Sequence, residues 1–159
     1  PEPLPGCSVV TSKQKPKRVA LVLPLVGRRV LMQLRDMKPG IEAPGCWGFV
    51  GGSIARGESP RAAAARELWE EVGFKAARLR RISAETLSEV PGIFSVAFCC
   101  ELTVPPPSLR LTEGRDLRLA ALAQISSGRL YSPKLKRAFP MAARAYLEKT
   151  LRRALKLTR

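Results

Sequence analysis

The strongest constraint on the fold comes from residues 51–74, GGSIARGESPRAAAARELWEEVGF, because this stretch carries its own start and stop signals for a helix. Ser59 is suited to cap the first turn, since its side-chain oxygen can accept a hydrogen bond from a free backbone N–H group. Pro60 follows at the first helical position, where the N–H that proline lacks would have had no partner. Gly73 can adopt the left-handed conformation that ends a helix. The sequence therefore predicts one helix between Pro60 and Gly73.

Three glutamates should crowd one arc of this helix, since residues three and four positions apart are neighbours. They are Glu67, Glu70 and Glu71, and only Arg66 is close enough in sequence to offset their mutual repulsion. Hard divalent cations such as Mg²⁺ take oxygen ligands and commonly pair one or two protein carboxylates with substrate phosphates. The arc is therefore either a metal site or a solvated acidic surface.

The other helix residues divide into a ligand-facing set and a core-facing set. Ala63 and Ala64 fall on the acidic arc, where their small side chains would leave room for a ligand. Ala65, Leu68 and Val72 form a separate apolar stripe, which we expect to pack against a core.

Fixed spacings around the helix favour the metal site. Five residues separate Gly52 from Glu58, and seven residues separate Glu58 from Arg66-Glu67-Leu68. After one further residue the chain has Glu70-Glu71, and after another it has Gly73-Phe74. This pattern resembles the Nudix box, and every fixed position of the box is filled. The resemblance extends, more weakly, from about residue 18 to about residue 147.

The resemblance implies a hydrolase that uses Mg²⁺ or Mn²⁺ and cuts the diphosphate linkage of a nucleotide or nucleoside diphosphate derivative. In that family the matching glutamates bind metal or handle the attacking water, and the matching glycine offers its backbone carbonyl to the metal. Another glutamate and an arginine orient these carboxylates. The positions carried over are the metal ligands Gly52, Glu67, Glu70 and Glu71 and the orienting residues Glu58 and Arg66.

A carboxylate must accept the proton of the attacking water, because the chain has no histidine. Glu70 is one candidate for this general base. Glu113, which precedes Gly114, is the other, since it resembles a late acidic residue that supplies a metal ligand or a base in some members of the family. A glutamate in a simple turn would fit the same position.

Three residues outside the box are candidates for substrate binding. Arg35 ends an apolar strand, and its guanidinium suits phosphate recognition, although a solvated strand end would also explain it. Trp47 and Phe49 could stack on a nucleotide base, or they could fill the core.

The family resemblance implies an α/β fold, a Nudix-type α/β/α sandwich in which a central mixed sheet separates the catalytic helix from a C-terminal helix. We assign residues 1–16 to a flexible N-terminal tail, residues 17–150 to the hydrolase domain and residues 151–159 to a basic C-terminal tail. Sequence patterns predict strands at 18–26, 30–35, 77–87, 93–102 and 117–121, and a helix over 132–157 that is interrupted near Pro140.

The chain is strongly basic, with 28 Lys and Arg residues against 13 Asp and Glu residues and a formal net charge of +15. Because the box is acidic, the positive charge must lie elsewhere, and much of it follows Ser132. We expect either a solvated surface or weak, non-specific nucleic-acid binding through the basic C-terminus.

The remaining expectations concern location and partners. No apolar run is long enough to span a membrane, and the four cysteines lack metal-type spacing, a pattern typical of reduced thiols in a cytoplasmic protein. We expect a monomer or homodimer acting on a small nucleotide. The alternatives are removal of diphosphate from RNA 5′ ends and a nucleic-acid-binding Nudix-fold module without activity; the intact box argues against the inactive module.

Overall fold

The structure, a computed structural model, describes residues 15–159, so almost all of the predicted tail at residues 1–16 lies outside it. No helix within this described part is both long and apolar enough to cross a lipid bilayer. A short 3₁₀ turn spans Pro106–Ser108. The other elements, in chain order, are β1 (Lys17–Val26), β2 (Arg29–Leu34), β3 (Trp47–Gly48), β4 (Val50–Ser53), α1 (Pro60–Val72), β5 (Arg80–Thr86), β6 (Ile93–Glu101), β7 (Asp116–Ala121), α2 (Leu122–Ser126), β8 (Arg129–Ser132), β9 (Arg137–Pro140) and α3 (Arg144–Leu157).

A seven-stranded mixed sheet is built around β1. On one side β1 runs parallel to β6, from Lys17 opposite Ile93 to Leu25 opposite Glu101. On its other side β1 pairs antiparallel with β4 and then with β2, and Pro24, which has no N–H to donate, lies between these two segments. β5 forms one edge next to β6, while β3 and β7 both pair with β2. The predicted central mixed sheet is confirmed.

Each face of this sheet is covered by a helix. Successive strand residues point to opposite faces, and the adjacent Cys99 and Cys100 of β6 accordingly lie in separate cores. The core that contains Cys100 packs against α1 through Leu68 and Val72. The core that contains Cys99 packs against α3 through residues such as Leu151. The predicted α/β/α sandwich is therefore confirmed.

The limits of α1 agree with the sequence signals. Ser59 accepts a hydrogen bond from the Ala62 N–H at 3.1 Å, Pro60 begins the helix, and Gly73 ends it with a left-handed φ of 68°. The turn is closed by a hydrogen bond from the Gly73 N–H to the carbonyl of Trp69.

The buried face of α1 differs from the prediction. Ala63 and Ala64 are fully buried against the sheet, so the room for a ligand that we expected beside them does not exist, whereas Ala65 is exposed. The stripe that faces the sheet runs instead through Ala64, Leu68 and residue 71, at the i, i+4 and i+7 positions typical of a helix face. As a result, the side chain of Glu71 lies in the buried face of its helix.

The predicted helix over residues 132–157 is wrong in its first half. A β-hairpin occupies this region, with Arg129 of β8 opposite Pro140 of β9. Proline at the end of an edge strand has no ladder hydrogen bond to lose. The hairpin is fixed to the sandwich by the Trp47 side chain, whose Nε1–H donates to the Leu130 carbonyl at 2.8 Å.

The predicted basic tail at residues 151–159 is also wrong over most of its length, because α3 continues to Leu157 and buries Leu151, Ala154 and Leu155. The beginning of α3 is held by a side chain from another part of the chain. The carboxylate of Glu89, in the loop between β5 and β6, accepts from the backbone N–H of Tyr146 at 2.9 Å, close to the first turn where helix N–H groups lack partners.

Candidate active site

Arg66 is the organising side chain of the acidic helix. A guanidinium has five N–H donors, and all five are used. Two of them form a bidentate pair with Glu58, at 2.9 Å each, and one reaches the Ser53 carbonyl at 3.0 Å. The remaining two, both on Nη1, reach Glu67 at 3.0 Å and Glu70 at 3.1 Å. The predicted contact between Arg66 and Glu70 is present, within a larger network.

The pair between Arg66 and Glu58 fixes the charge of both groups. The hydrogen bonds from Arg66 lower the pKa of Glu58 to about 2, and a further bond from the Ala55 N–H to Glu58 contributes. The same pairing raises the pKa of Arg66. Glu58 therefore stays ionised at any ordinary pH and serves as a fixed counter-ion for the arginine.

Glu67 packs directly on the glycine turn that precedes α1. A methyl group placed on Gly52 would lie only 2.6 Å from the carboxyl carbon of Glu67. Burial raises the pKa of Glu67, and the charges of Glu70 and Glu113 add to this effect, while the bond and charge of Arg66 act against it. The absence of a side chain at residue 52 is therefore what allows this carboxylate to reach the backbone.

Glu71 is the innermost carboxylate, with only 4% of its surface exposed. Its Oε2 accepts from the Gly51 N–H at 2.9 Å, and this turn needs glycine, because φ is 154° and a side chain would collide with the Ala20 carbonyl. Burial raises the pKa of Glu71 to about 8; the Gly51 N–H opposes the shift, and the negative charges of Glu67 and Glu113 add to it. A buried carboxylate in this environment favours a proton or a cation.

The three glutamates thus have different environments although they share one helix. Glu70 is the outer one, with 53% of its side chain exposed, while the Glu67 side chain is 13% exposed. The sequence predicts only that all three crowd one arc of the helix. The structure instead gives one outer, one intermediate and one buried carboxylate, which can serve different chemical purposes.

Glu113 is brought close to the three box glutamates by residues 109–115, a segment that we call the strap. The strap is hydrogen-bonded to the C-terminal end of α1 and to β2. At the helix end, the N–H and the side-chain hydroxyl of Thr112 both donate to the Glu71 carbonyl at 3.1 Å. At the strand, the Arg115 N–H donates to the Leu34 carbonyl at 2.8 Å, and the Gln33 side chain donates to the Glu113 carbonyl at 2.8 Å. The segment that carries this turn glutamate is therefore held both by the box helix α1 and by β2.

All these carboxylates except Glu58 line one cleft of about 510 Å³. Arg35 lies in the same cleft, with its Nε–H donating to the Glu42 carbonyl at 2.6 Å, which leaves the other guanidinium donors available. Phe49 contributes to the apolar part of the wall. Trp47 does not line the cleft: it is fully buried, so its predicted stacking on substrate is wrong and the core alternative is correct.

One wall of the cleft was absent from the sequence prediction. Ala143, Tyr146 and Leu147 at the start of α3, together with Leu87 from the β5–β6 loop, close the apolar end. These residues were missed because the region before α3 had been assigned to one long helix. The only sequence feature that indicated this wall was Glu89, an acidic residue with no predicted role. Its carboxylate caps the start of α3 and so brings the β5–β6 loop and this helix together.

The donor set fits a hard divalent cation that keeps part of its water shell. Within residues 15–159, no three acidic, cysteine or histidine side chains are arranged to hold a metal ion by themselves. One oxygen of Glu67 and one of Glu70 accept from Arg66, and one oxygen of Glu71 accepts from the Gly51 N–H. Mg²⁺, however, usually keeps several waters and binds through one or two carboxylates plus substrate phosphates. Glu67 and Glu71, both buried enough to have raised pKa values, supply suitable oxygen ligands for such a site.

The NUDIX domain family model matches residues 15–137. The chain belongs to the Nudix hydrolase family. Nudix hydrolase 25 of Arabidopsis thaliana is 36% identical to this Nudix chain over 75 residues, which make up 47% of the chain and 35% of that relative. The chain therefore matches only about a third of the length of this relative. Nudix hydrolases generally use divalent metal ions, in agreement with the chemistry of the donor set.

Solved structures share the fold of this Nudix chain. The MutT protein from Methanosarcina mazei Go1 is 19% identical, with a TM-score of 0.65 over 93% of this chain and 99% of that one. The NUDIX domain of Shewanella oneidensis NrtR, complexed with ADP ribose, is 17% identical, with a TM-score of 0.62 over 89% of this chain and 90% of that one. At these identities the likeness establishes the fold alone.

Proposed function

We propose that this chain hydrolyses the diphosphate linkage of a nucleotide or nucleoside diphosphate derivative in a reaction that requires Mg²⁺ or Mn²⁺. The observation that carries the proposal is a single cleft lined by the three box glutamates, by the backbone of Gly52 and by the guanidinium of Arg35. The complex of the NrtR domain with ADP ribose supports the substrate class, because ADP ribose is a nucleoside diphosphate derivative.

The proposed metal ligands are Glu67, Glu70, Glu71 and the carbonyl of Gly52. A divalent cation held there would neutralise the diphosphate and lower the pKa of a bound water for attack on phosphorus. Arg66 orients Glu67 and Glu70 through the hydrogen bonds described above. Binding a cation would also relieve the cost of keeping Glu71 ionised in a buried position.

We assign the general base to Glu113, with Glu70 as the alternative. One oxygen of Glu70 is occupied by Arg66, whereas no hydrogen bond or ion pair to the Glu113 carboxylate exists among residues 15–159. A base needs a free lone pair that faces the attacking water. The strap also holds the Glu113 backbone from two sides, which reduces the entropy that would be lost in positioning its side chain.

Substrate orientation follows from the two ends of the cleft. Arg35 would bind a phosphate oxygen with its free N–H donors, since a guanidinium matches the geometry of two phosphate oxygens. Phe49 and the apolar wall formed with α3 would receive the base or the sugar. This places the scissile linkage between Arg35 and the glutamates.

A panel of nucleoside diphosphate derivatives and nucleoside triphosphates, incubated with Mg²⁺ or Mn²⁺ and followed by product identification, tests the proposal. Glu67→Gln keeps the shape of the side chain but removes its charge, and we expect it to lose turnover. Glu101→Gln is the matched control, because it removes the same charge from the exposed end of β6, outside the cleft. Full activity of Glu67→Gln, or no turnover of any substrate by the wild type, would contradict the proposal; the latter would favour the inactive module.

RNA 5′ ends are a second candidate substrate, favoured by the position of α3. This helix contributes Tyr146 and Leu147 to the cleft wall and carries the exposed cations Arg152 and Lys156 further along its length. A strand leaving the cleft along α3 would meet these cations. Arg152→Gln with Lys156→Gln should then reduce turnover of a 5′-triphosphorylated RNA while leaving that of a free nucleotide unchanged; an equal effect on both substrates would reject the RNA reading.

A further inference from the structure

A second groove, of about 620 Å³, opens where the N-terminal end of α1, residues 76–81 and the C-terminal end of α3 meet. It shares no residue with the cleft of the box glutamates. Arginines line it together with small or apolar side chains. The arginines are Arg61, Arg78, Arg80 and Arg81, and the small or apolar residues are Ala65, Ala76, Ala77, Leu79 and Leu157. We call this feature the arginine groove.

Two of the four arginines are fixed in place by backbone carbonyls. Arg61 donates from Nη1 to the carbonyl of Leu79, and its guanidinium lies over the ring of Phe98, 5.1 Å from the centroid. Arg80 donates from Nη1 to the carbonyl of Leu157 at 2.7 Å, which ties the end of α3 to the start of β5. Each guanidinium has five N–H donors, so most of the donors on both side chains stay available to an anion.

No acidic side chain within residues 15–159 neutralises the positive charge of the groove. None of the residues that line it is acidic, and Arg78 and Arg81 are exposed and form no ion pair within residues 15–159. The basic residues of α3 nearby behave differently, because Lys149 and Arg153 both pair with Glu85, at 2.8 Å and 3.2 Å. Four unpaired arginines around one concave surface repel one another, and an anion bound among them would remove that repulsion.

We propose that the arginine groove binds the phosphate backbone of single-stranded nucleic acid. Guanidinium groups recognise phosphate with paired N–H donors. The alanine and leucine side chains of the lining offer contact to sugar carbons, which a strand of nucleic acid has and a chain of inorganic polyphosphate lacks. The groove contains no aromatic side chain on which bases could stack, so binding should tolerate any sequence.

Salt-dependent binding of a labelled oligouridylate of about 20 nucleotides, measured by fluorescence anisotropy in EDTA, tests this proposal. Each phosphate contact on a single strand contributes about −0.7 to the slope of log K against log salt concentration. Replacing Arg78 and Arg81 by glutamine should therefore make the slope shallower by about 1.4 and weaken binding at low salt. These two side chains make no hydrogen bond within the described chain, so the fold should be unaffected, which thermal unfolding would verify.

The matched control removes two positive charges from a hairpin that contributes no residue to the groove. Lys134→Gln with Lys136→Gln changes the exposed β8–β9 hairpin, which is joined to β7 by a bond from Arg118 to the Tyr131 carbonyl. This control should leave the slope unchanged. An equal loss in both double variants would show diffuse attraction to a basic protein and would overturn the proposal.

One further variant and one competition identify the site and the ligand. Arg35→Gln, which removes a cationic side chain from the cleft, should leave oligonucleotide binding unchanged, since the groove is separate from the cleft; a loss as large as that of the variant lacking Arg78 and Arg81 would assign the binding to the cleft instead. Inorganic polyphosphate of similar length should compete more weakly than unlabelled RNA. Stronger binding of polyphosphate, with the same sensitivity to the loss of Arg78 and Arg81, would overturn the choice of nucleic acid as the ligand.

Discussion

Replacing Gly52 by alanine should disable the site while leaving the fold intact. The new methyl group would lie 2.6 Å from both Cδ and Oε1 of Glu67 and 2.9 Å from its Oε2. Ordinary contacts between carbon atoms are about 3.5 Å, so the carboxylate would have to retreat by about 1 Å. It can do so because a glutamate side chain is flexible and α1 is anchored elsewhere. The change therefore alters the position of one carboxylate and little else.

The expected cost is mainly in turnover. A misplacement of about 1 Å at a reacting centre can reduce a rate by about a hundredfold. We expect kcat to fall by roughly this factor, because the displaced Glu67 would no longer present its oxygen beside the backbone of residue 52. The free energy of unfolding should change by no more than about 1 kcal/mol, since the substitution leaves no cavity and no unpaired buried group.

Gly48→Ala is the control for this experiment. Gly48 lines the same cleft, but a methyl group there would meet no atom within 4 Å, and its backbone conformation suits any residue. Steady-state kinetics with the substrate identified by the panel, together with urea unfolding, would measure both effects. Unchanged kcat in Gly52→Ala, or an equal loss in Gly48→Ala, would refute the claim that residue 52 acts by admitting Glu67.

A double variant separates the action through Glu67 from a general effect on the turn. Glu67→Asp shortens the side chain, which removes the collision with the methyl group of residue 52 but also draws the carboxylate back towards α1. If Gly52→Ala acts by displacing Glu67, it should have little further effect in the Glu67→Asp background, so the two changes would be strongly non-additive. Additive losses in kcat would instead indicate that the methyl group disturbs the carbonyl of residue 52 itself, which we propose as a metal ligand.

Three further predictions follow from the site and the fold. The pKa of Glu71 is about 8 in the folded protein and lies well below that in the unfolded chain. The free energy of unfolding of the metal-free protein should therefore fall as pH rises towards 8, by at most about 1.4 kcal/mol per pH unit from this group. Urea unfolding in EDTA should show this fall in the wild type and not in Glu71→Gln. Comparing pH–rate profiles of Glu113→Gln and Glu70→Gln should show that the variant lacking the base loses the decline in rate at acidic pH, and a retained decline in both would exclude both residues. Truncation after Leu147 should lower the Tm sharply, because it removes the buried part of α3, and a Tm close to that of the full chain would contradict the packing described above.

Local signals in the sequence predicted the helix but not which arc of it would be buried. The serine cap, the following proline and the terminal glycine each act within a few residues of a helix end. The predicted limits of α1 are therefore correct. Ala63 and Ala64 suit either an open arc or a tightly packed one, because their small side chains allow a helix to approach a sheet closely. Only the packing against β1 and β4 decides between these possibilities, and it decides in favour of burial.

The apolar wall of the cleft could not be predicted for a related reason. It depends on a contact between Glu89 and the start of α3, two segments separated by more than fifty residues. The hairpin before α3 could not be predicted because residues 132–140 lack the regular alternation of apolar and polar side chains that indicates a strand. No local feature of the sequence decides whether Trp47 packs in the core or stacks on substrate. In the structure its Nε1–H donates to a buried backbone carbonyl, which is the partner that a core tryptophan needs.

The saturation of Arg66 explains why the three glutamates cannot be equivalent in the active site. All five of its N–H donors are used, so it can compensate Glu58 fully and Glu67 and Glu70 in part, but it offers nothing to Glu71. The least compensated carboxylate is thus also the most buried one, where an uncompensated charge costs most. A cation entering the cleft gains most by binding close to Glu71. We therefore infer that Glu71, with Glu67 beside it, would supply the primary metal ligands, and that the exposed Glu70 would be the more peripheral ligand.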